Sequence, residues 1–168
     1  MRNPFRQPRV QSRPLSDICD EYIALMGPYD RSDREVWALK CRLAKLMHKH
    51  RIDYIARKDT LLKLAWICSW PPTSIELLPL DRLGPDVFSE NTKAAHLIPL
   101  VDRLLEADGS HGRNKAEREK LETSLARAAK AEGQSESFVY QGYRFRWYYY
   151  SSSKSGSLIV NRITDFDG

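Results

Sequence analysis

Cations at helical spacing are the first residues in this 168-residue chain that could do chemistry. Arg42, Lys45 and Lys49 recur three and four residues apart, so a helix would carry all three on one face. Arg34 lies nearby in the sequence, and Arg51 follows just beyond. Cations held on one rigid face can bind the phosphates of a nucleic acid. The alternative is the solvated outer face of an amphipathic helix, which is a common arrangement.

A second group lies in the segment YRFRWYYY, residues 143–150. Side chains alternate between the two faces of a strand, so this segment has an all-aromatic face and a mixed face. We expect the all-aromatic face to pack against helices. On the mixed face, arginine and tyrosine together can hold a phosphate and stack a base, or the arginines can lie over the tyrosine rings in a solvated face. The all-aromatic face has Tyr143, Phe145, Trp147 and Tyr149, and the mixed face has Arg144, Arg146, Tyr148 and Tyr150.

The first 14 residues form a basic segment with three prolines and no acidic residue. Its arginines are Arg2, Arg6, Arg9 and Arg13. This composition predicts a flexible basic arm that could add groove or backbone contacts to a nucleic acid. Residues 1–58 hold 13 Lys and Arg against 7 Asp and Glu, a net charge of +6 in a chain whose total is +5. Charge concentrated in this way attracts phosphates, acidic proteins or an anionic membrane surface.

Signatures of metal binding and catalysis are weaker. Cys41, His48 and His50 are close in sequence, but the chain has no CxxC pair. Two histidines two residues apart also point away from each other on a helix, so we predict no metal and no cofactor. No HExxH, GxSxG or P-loop pattern occurs. An RNase-like acid–base site needs only dispersed His, Arg, Lys and Tyr, and the sequence offers His111 with Arg113, so this activity stays an alternative.

Hydrophobic periodicity predicts about five helices between residues 15 and 135. They cover residues 15–28, 32–50, 59–72, 91–109 and 114–133. Ser32 with Glu35, and Asn114 with Glu117, form capping-box patterns that mark the starts of two of them. Pro99 either kinks the fourth helix or lies in the first turn of a shorter one that starts near residue 98. The second helix has an apolar face formed by Val36, Trp37, Leu39, Leu43, Ala44, Leu46 and Met47.

Glycine and proline set the predicted helix boundaries. The pair at 27–28 ends the first helix, the proline pair at 71–72 ends the third, and DGSHG at 108–112 forms a linker. The third helix is apolar on every side, which indicates a central buried helix. Residues 71–91 are rich in proline and turn residues and predict a long connection.

The hydrophobic period changes to two from Ser137, which predicts strands. Two strands flank the turn Gln141-Gly142, and a third follows the serine-rich turn at 151–156. The predicted fold class is therefore α+β, with a mainly helical body of about five helices followed by a C-terminal three-stranded antiparallel β-meander. We expect a flexible basic arm at 1–14 and a single globular domain at 15–168, helical over 15–135 and a β-meander over 136–168.

The predicted function is non-catalytic binding of nucleic acid, with DNA as first choice, through the basic arm, the basic helix face and the mixed strand face. The alternative is a protein-interaction module that binds an acidic partner through its aromatic sheet face. A strand edge of the meander could also pair two copies of the chain. Three scattered cysteines and no apolar run of 18 residues predict an intracellular, cytoplasmic protein with no membrane partner.

Overall fold

The computed structural model describes residues 13–65, 74–80, 93–134, 136–149 and 156–164. These residues form two long helices and two three-stranded antiparallel sheets. The helices are α1, Leu15–Lys49, and α2, Ile98–Ala131, which follows a short 3-10 turn at Ala95–Leu97. The strands are β1, Tyr54–Arg57, β2, Thr60–Ala65, β3, Ser74–Pro79, β4, Ser137–Tyr140, β5, Tyr143–Tyr149, and β6, Gly156–Arg162.

The predicted fold class is wrong in its helical part. The described residues contain two α-helices rather than about five, and a second antiparallel sheet replaces one of the predicted helices. The first and second predicted helices form one continuous helix, and so do the fourth and fifth. The segment that was expected to separate the two members of each pair is itself helical. The α+β class itself holds, but the arrangement is not a helical body with one C-terminal meander.

Helix α1 runs through Gly27-Pro28, where the sequence predicts an end. Proline lacks an N–H and so removes one backbone hydrogen bond, which weakens a helix without always ending it. Apolar residues are buried on both sides of this point, Tyr22 before it and Val36 after it. Because most helical stability in proteins comes from packing of the apolar face, burial on both sides offsets the lost bond.

Helix α2 likewise passes through the predicted linker at 108–112 and through Asn114, which was expected to cap a new helix. Glycine inside a helix costs about 1 kcal/mol relative to alanine, which lowers helix propensity but does not forbid a helix. Of the two alternatives for Pro99, the second is confirmed, since α2 begins at Ile98 and Pro99 lies in its first turn.

The predicted buried helix at 59–72 is wrong, because Thr60–Ala65 is the central strand of a sheet. β2 pairs with β1 on one side and with β3 on the other, so its Leu61 and Leu62 are fully buried. A short, continuous apolar run fits a buried strand as well as a buried helix, and periodicity alone does not separate the two. The predicted long connection at 71–91 is also wrong in part, since it contains β3.

The C-terminal sheet has the three strands that the alternating pattern predicts, in the order β4-β5-β6. Gln141 and Gly142 both have positive φ, 47° and 77°, and form the turn between β4 and β5, where Tyr140 pairs with Tyr143. β5 pairs along its whole length with β6. Phe145 and Trp147 are buried, which confirms that the all-aromatic face packs inward, although the side chain of Tyr149 lies outside the described residues.

The chain divides into two compact units, each with its own core. One unit comprises described residues within 1–26 and 116–168, and its core centres on Tyr22, Leu125 and Phe145. The other comprises described residues within 27–115, and its core centres on Leu43, Leu62 and Leu104. The single-domain boundaries expected from the sequence stay a prediction. In the described part of the chain, no helix is long and apolar enough to cross a membrane.

Candidate nucleic-acid interface

The predicted basic face lies on the exposed side of α1, within the unit of residues 27–115. The opposite side of this helix buries Leu39, Leu43 and Met47 in the core of that unit, and this burial fixes which side faces solvent. Residues three and four apart on a helix are neighbours, so the exposed side collects cations along about 22 Å of helix at roughly 1.5 Å per residue. We call this set the basic face: Arg34, Arg42, Lys45, Lys49 and, just after α1, Arg51, all of them exposed.

Acidic residues of the same stretch of α1 are directed to α2 instead. Glu35 accepts a hydrogen bond of 3.1 Å from Arg103, and Asp33 lies 3.6 Å from His111. Within the described residues, no member of the basic face forms an ion pair. The basic face therefore carries a local excess of positive charge that no described carboxylate neutralises.

Arg51 stands where α1 ends, with a left-handed φ of 53°. The N–H of the next residue, Ile52, donates to the carbonyl of Met47 at 2.9 Å, so the chain turns sharply away from the helix axis. Glycine usually occupies such a position because it has no Cβ. The exposed Arg51 side chain therefore extends the basic face to the C-terminal end of α1, where the helix dipole also favours cations.

Arg57, which follows soon after the basic face in the sequence, is not available to bind phosphate. Its guanidinium donates two hydrogen bonds of 2.8 Å to the two carboxylate oxygens of Asp102. These bonds hold the pKa of the Asp102 carboxyl below its ordinary value. The pair borders an open groove of about 880 Å³ whose lining also includes Asp59 and Glu106, so this groove is unsuited to a polyanion.

The predicted basic arm falls mostly outside the described residues, including Arg2, Arg6 and Arg9. Arg13 is described, and it forms an exposed ion pair with Glu21 of α1. The hydrogen bond to this carboxylate raises the pKa of Arg13, which stays positively charged in any case. Because Glu21 partly neutralises it, Arg13 contributes less free charge than the sequence suggests.

The mixed face of β5 lies on the exposed side of the C-terminal sheet. Arg144, Arg146 and Tyr148 are exposed there, whereas Tyr150 lies outside the described residues. The strand register places Val139 and Asn161 beside Arg144, and Ile159 beside Arg146. This outer sheet face belongs to the unit of residues 1–26 and 116–168, whereas the basic face belongs to the unit of residues 27–115.

Arginine and tyrosine contact each other on the outer sheet face. The guanidinium carbon of Arg146 lies 4.8 Å from the centre of the Tyr148 ring, a cation–π arrangement. From the sequence, either this cation–π arrangement or stacking of the tyrosine on a base was possible. A ring already covered by a guanidinium has to release it before it can stack on a base, so the outer sheet face is the weaker candidate for nucleic acid.

Sequence reasoning missed three exposed apolar residues. Trp37 was assigned to the apolar face of its helix, but 56% of its surface is exposed. A helical projection could have revealed this exposure. It places Trp37, which precedes the exposed Ala38, about 100° around the helix from the buried Val36. Val139 and Ile159 on the outer sheet face are also exposed, at 58% and 41%, and alternation alone predicts their side of the sheet.

Histidine and cysteine side chains were the candidates for metal binding and for acid–base chemistry. No group of three or more His, Cys, Asp or Glu is placed to hold a metal ion there. His111 lies inside α2 rather than in a linker, with its ring against Tyr29 and its Nδ1 3.1 Å from the Ser32 hydroxyl. Burial raises the pKa of the Cys19 thiol to about 11, which leaves it a poor nucleophile.

The fold defines an α+β protein with two long helices, two antiparallel three-stranded sheets and an exposed cationic helix face. No protein-family model, no curated protein and no solved structure matches the chain.

Proposed function

We propose that this protein is a non-catalytic nucleic-acid-binding protein, with DNA as first choice, and that the basic face of α1 is its main contact surface. The observation that carries this proposal is the set of five exposed cations without a carboxylate partner among the described residues. A span of about 22 Å matches about six base-pair steps of 3.4 Å, so several phosphates lie within reach of one helix face.

Rigid placement supports this function beyond net charge. The helix that carries the cations is held by a buried apolar side, so the cations keep a fixed spacing when they meet a phosphate backbone. Arg42 and Lys45 can contact successive phosphates without reorganisation of the fold. Arg2, Arg6 and Arg9 of the arm, and Arg144, Arg146, Tyr148 and Tyr150 of β5, stay predicted additional contacts.

A salt titration of binding to a short duplex tests the proposal. Each phosphate contact contributes about −0.9 to the slope of log affinity against log salt concentration, so five contacts give a slope of about −4.5. Lys45→Glu combined with Lys49→Glu is expected to weaken binding and to reduce the steepness of the slope by about 2. No binding of the wild-type protein at low salt would contradict the proposal.

A matched control separates the basic face from net charge. Lys115 and Arg127 are exposed on α2, and reversal of both changes the total charge by the same amount as reversal of Lys45 and Lys49. Lys115→Glu with Arg127→Glu is expected to leave the salt slope unchanged. Equal losses in both double variants would mean that overall charge, and not the basic face, governs binding.

A second candidate function has its own observation. Three of the five large hydrophobic residues that are exposed in the described part of the chain share the outer sheet face with two arginines, and they are Val139, Tyr148 and Ile159. Exposed apolar side chains beside arginine are typical of protein interfaces. We propose that this face could bind an acidic protein partner. The buried aromatic face, which the sequence suggested for this role, is in the core.

A pull-down from nuclease-treated lysate distinguishes the two candidates. A partner that is retained after nuclease treatment, and lost from a variant with Arg144→Glu and Arg146→Glu, supports the protein-interaction function. Lys45→Glu with Lys49→Glu serves as the matched double variant and is expected to keep that partner. If both double variants retain the partner equally in the pull-down, the outer sheet face is not its binding surface.

A further inference from the structure

Trp37 is exposed on α1 beside the basic face. Its exposed fraction, 56%, is large for the most hydrophobic aromatic side chain, and α1, which is described along its whole length, has no other large hydrophobic residue with comparable exposure. More than half of the surface of Trp37 is therefore accessible to a ligand.

Helical spacing places Trp37 at the edge of the basic face, next to Arg34. Arg34 lies one turn before it, and Lys45 lies two turns after it. Between the indole and Lys45 the helix carries Ala38 and Cys41, whose side chains are small. A flat group can therefore approach the indole while an attached phosphate reaches a cation one or two turns away.

We infer that Trp37 stacks on an unpaired base, so that the basic face of α1 takes single-stranded nucleic acid in preference to duplex. This inference rests on the proposed function and names its substrate class. Inside a duplex both faces of each base are covered by neighbouring bases, whereas a single strand leaves base faces free to stack on aromatic side chains. Stacking on an indole also tolerates any base, so no sequence specificity is required.

Charge and composition favour this occupant over a protein. A protein interface has an apolar centre surrounded by polar residues, and a single exposed indole does not form such a centre. On the helix surface Trp37 has the cations Arg34 and Lys40 as neighbours. One carboxylate, Asp33, also lies one turn before it, 3.6 Å from His111. Positive charge with an isolated aromatic ring is the combination that binds single strands. An acidic peptide could satisfy the cations, but it offers no flat ring to stack on the indole.

The test compares two forms of one probe. A fluorescein-labelled 12-nucleotide strand without self-complementarity and its fully paired duplex are titrated with wild-type protein, Trp37→Ala and Trp37→Phe at low salt. Anisotropy reports affinity, and tryptophan emission reports stacking. Trp37→Ala is expected to weaken binding of the single strand by at least about fivefold and to change duplex binding by less than about twofold. Trp37→Phe, which keeps a stacking ring, is expected to retain most of the affinity.

Tyr54 provides a matched control, because it is an exposed aromatic residue of β1 in the same unit and is not on α1. Tyr54→Ala is expected to change neither affinity. Quenching of tryptophan emission by the single strand is expected in the wild type and is expected to be absent in Trp37→Phe. This comparison isolates the signal of one indole among the four tryptophans of the chain.

The outcomes separate this inference from the function on which it rests. If Trp37→Ala changes neither affinity while Lys45→Glu with Lys49→Glu weakens both, the basic face binds nucleic acid and the stacking inference is wrong. Equal losses on single strand and duplex in Trp37→Ala also overturn it. If the wild type binds neither probe at low salt, the proposed function fails together with it. Poly-glutamate serves as a third probe and represents an acidic peptide. If Trp37→Ala loses poly-glutamate binding and binds both oligonucleotides as the wild type does, the surface is assigned to an acidic peptide instead.

Discussion

The side-chain amide of Asn114 in α2 donates a hydrogen bond of 3.1 Å to the hydroxyl of Ser32 in α1. The same hydroxyl donates its own proton to the carbonyl of Tyr29 at 2.8 Å, so its oxygen is left to accept. It accepts from Asn114 and lies 3.1 Å from Nδ1 of His111. Ser32, Asn114 and His111 therefore form one hydrogen-bonded network between α1 and α2.

Removal of the Ser32 hydroxyl is expected to destabilise the protein. Ser32→Ala leaves the Asn114 amide and the His111 ring without this hydrogen-bond partner in a partly buried position, which costs about 1–3 kcal/mol in the free energy of unfolding. Urea denaturation monitored by circular dichroism measures this change. Ser110→Ala is the matched control, since Ser110 only accepts an exposed hydrogen bond from Arg113 and its loss is expected to cost about 0.5 kcal/mol or less. Equal stability of the two variants would contradict a stabilising hydrogen-bond network at Ser32.

Ser32 and Asn114 also explain why the helices were predicted to be shorter than they are. Both residues fit helix starts, because serine and asparagine with a glutamate three residues later satisfy free N–H groups at a helix end. In the structure the two side chains bind each other between α1 and α2 instead. That choice depends on a partner about 80 residues away, and no local pattern in one sequence contains it.

Gly112 offers a direct test of the continuous α2. It is exposed inside the helix, and a Cβ added there would meet no atom within 4 Å. Gly112→Ala is therefore expected to stabilise the protein by about 0.5–1 kcal/mol, because alanine loses less backbone entropy on folding. Thermal unfolding measures the change.

Gly142 is the opposite control for the same substitution. It has a φ of 77° in the turn between β4 and β5, a conformation that alanine rarely adopts. Gly142→Ala is expected to destabilise the protein by more than about 1 kcal/mol, with no atom in its way. If residues 108–112 were a linker, as the sequence suggested, Gly112→Ala would not stabilise a helix, and no increase in protein stability would be expected from it.

Tyr22 links the pH dependence of stability to a buried hydrogen-bond network. Its hydroxyl donates to Glu122 at 3.0 Å and accepts from Arg118 at 3.1 Å. Burial, followed by the negative charge of Glu122, raises the pKa of Tyr22 above its ordinary value of about 10. Because the folded-state pKa is raised, the resulting stability is present below about pH 10 and is lost as the pH rises above it.

Tyr22→Phe removes this pH dependence. At pH 7 the variant is expected to be less stable than the wild type by about 1–2 kcal/mol, since Arg118 and Glu122 both lose their hydrogen bond to the Tyr22 hydroxyl. Between about pH 10 and pH 12 the difference is expected to shrink. In this range the Tyr22 phenol of the wild type loses its proton on unfolding, which stabilises the unfolded state, and the variant has no phenol at this position. Urea midpoints of the two proteins across this range give the measurement. Parallel curves up to pH 12 would contradict the raised pKa.

The strands show which part of the fold local sequence determines. Phe145 and Trp147 alternate with Arg144 and Arg146, so a strand with one buried face follows from the residues themselves. β2 has no such alternation, because it is the central strand and its apolar run is continuous. Its hairpin turn also lacks a signal, since Lys58 takes the left-handed φ of 54° that glycine or asparagine usually marks. The spacing of the cations in the sequence was enough to predict the basic face. Whether those cations form ion pairs depends on where α2 places its own charges.

The two faces of β5 give the sharpest comparison of buried and exposed residues on one strand. Phe145 is fully buried and stacks on Phe138 with a distance of 4.8 Å between ring centres. Phe145→Ala is expected to lower the free energy of unfolding by about 3–5 kcal/mol, because it opens a cavity in a closely packed core. Tyr148→Ala, on the outer sheet face, loses the cation–π contact with Arg146 at an exposed position and is expected to cost about 1 kcal/mol or less.

Chemical denaturation of both variants checks the order of the two effects. Should Phe145→Ala fail to fold, the milder Phe145→Leu is expected to keep the same order relative to Tyr148→Ala, since it still removes the ring that stacks on Phe138. In a separate binding assay, retained binding of a labelled oligonucleotide by Tyr148→Ala would show that Tyr148 is not required for nucleic-acid binding. A larger loss of stability in Tyr148→Ala than in Phe145→Ala would mean that the inward and outward faces of β5 are assigned the wrong way round.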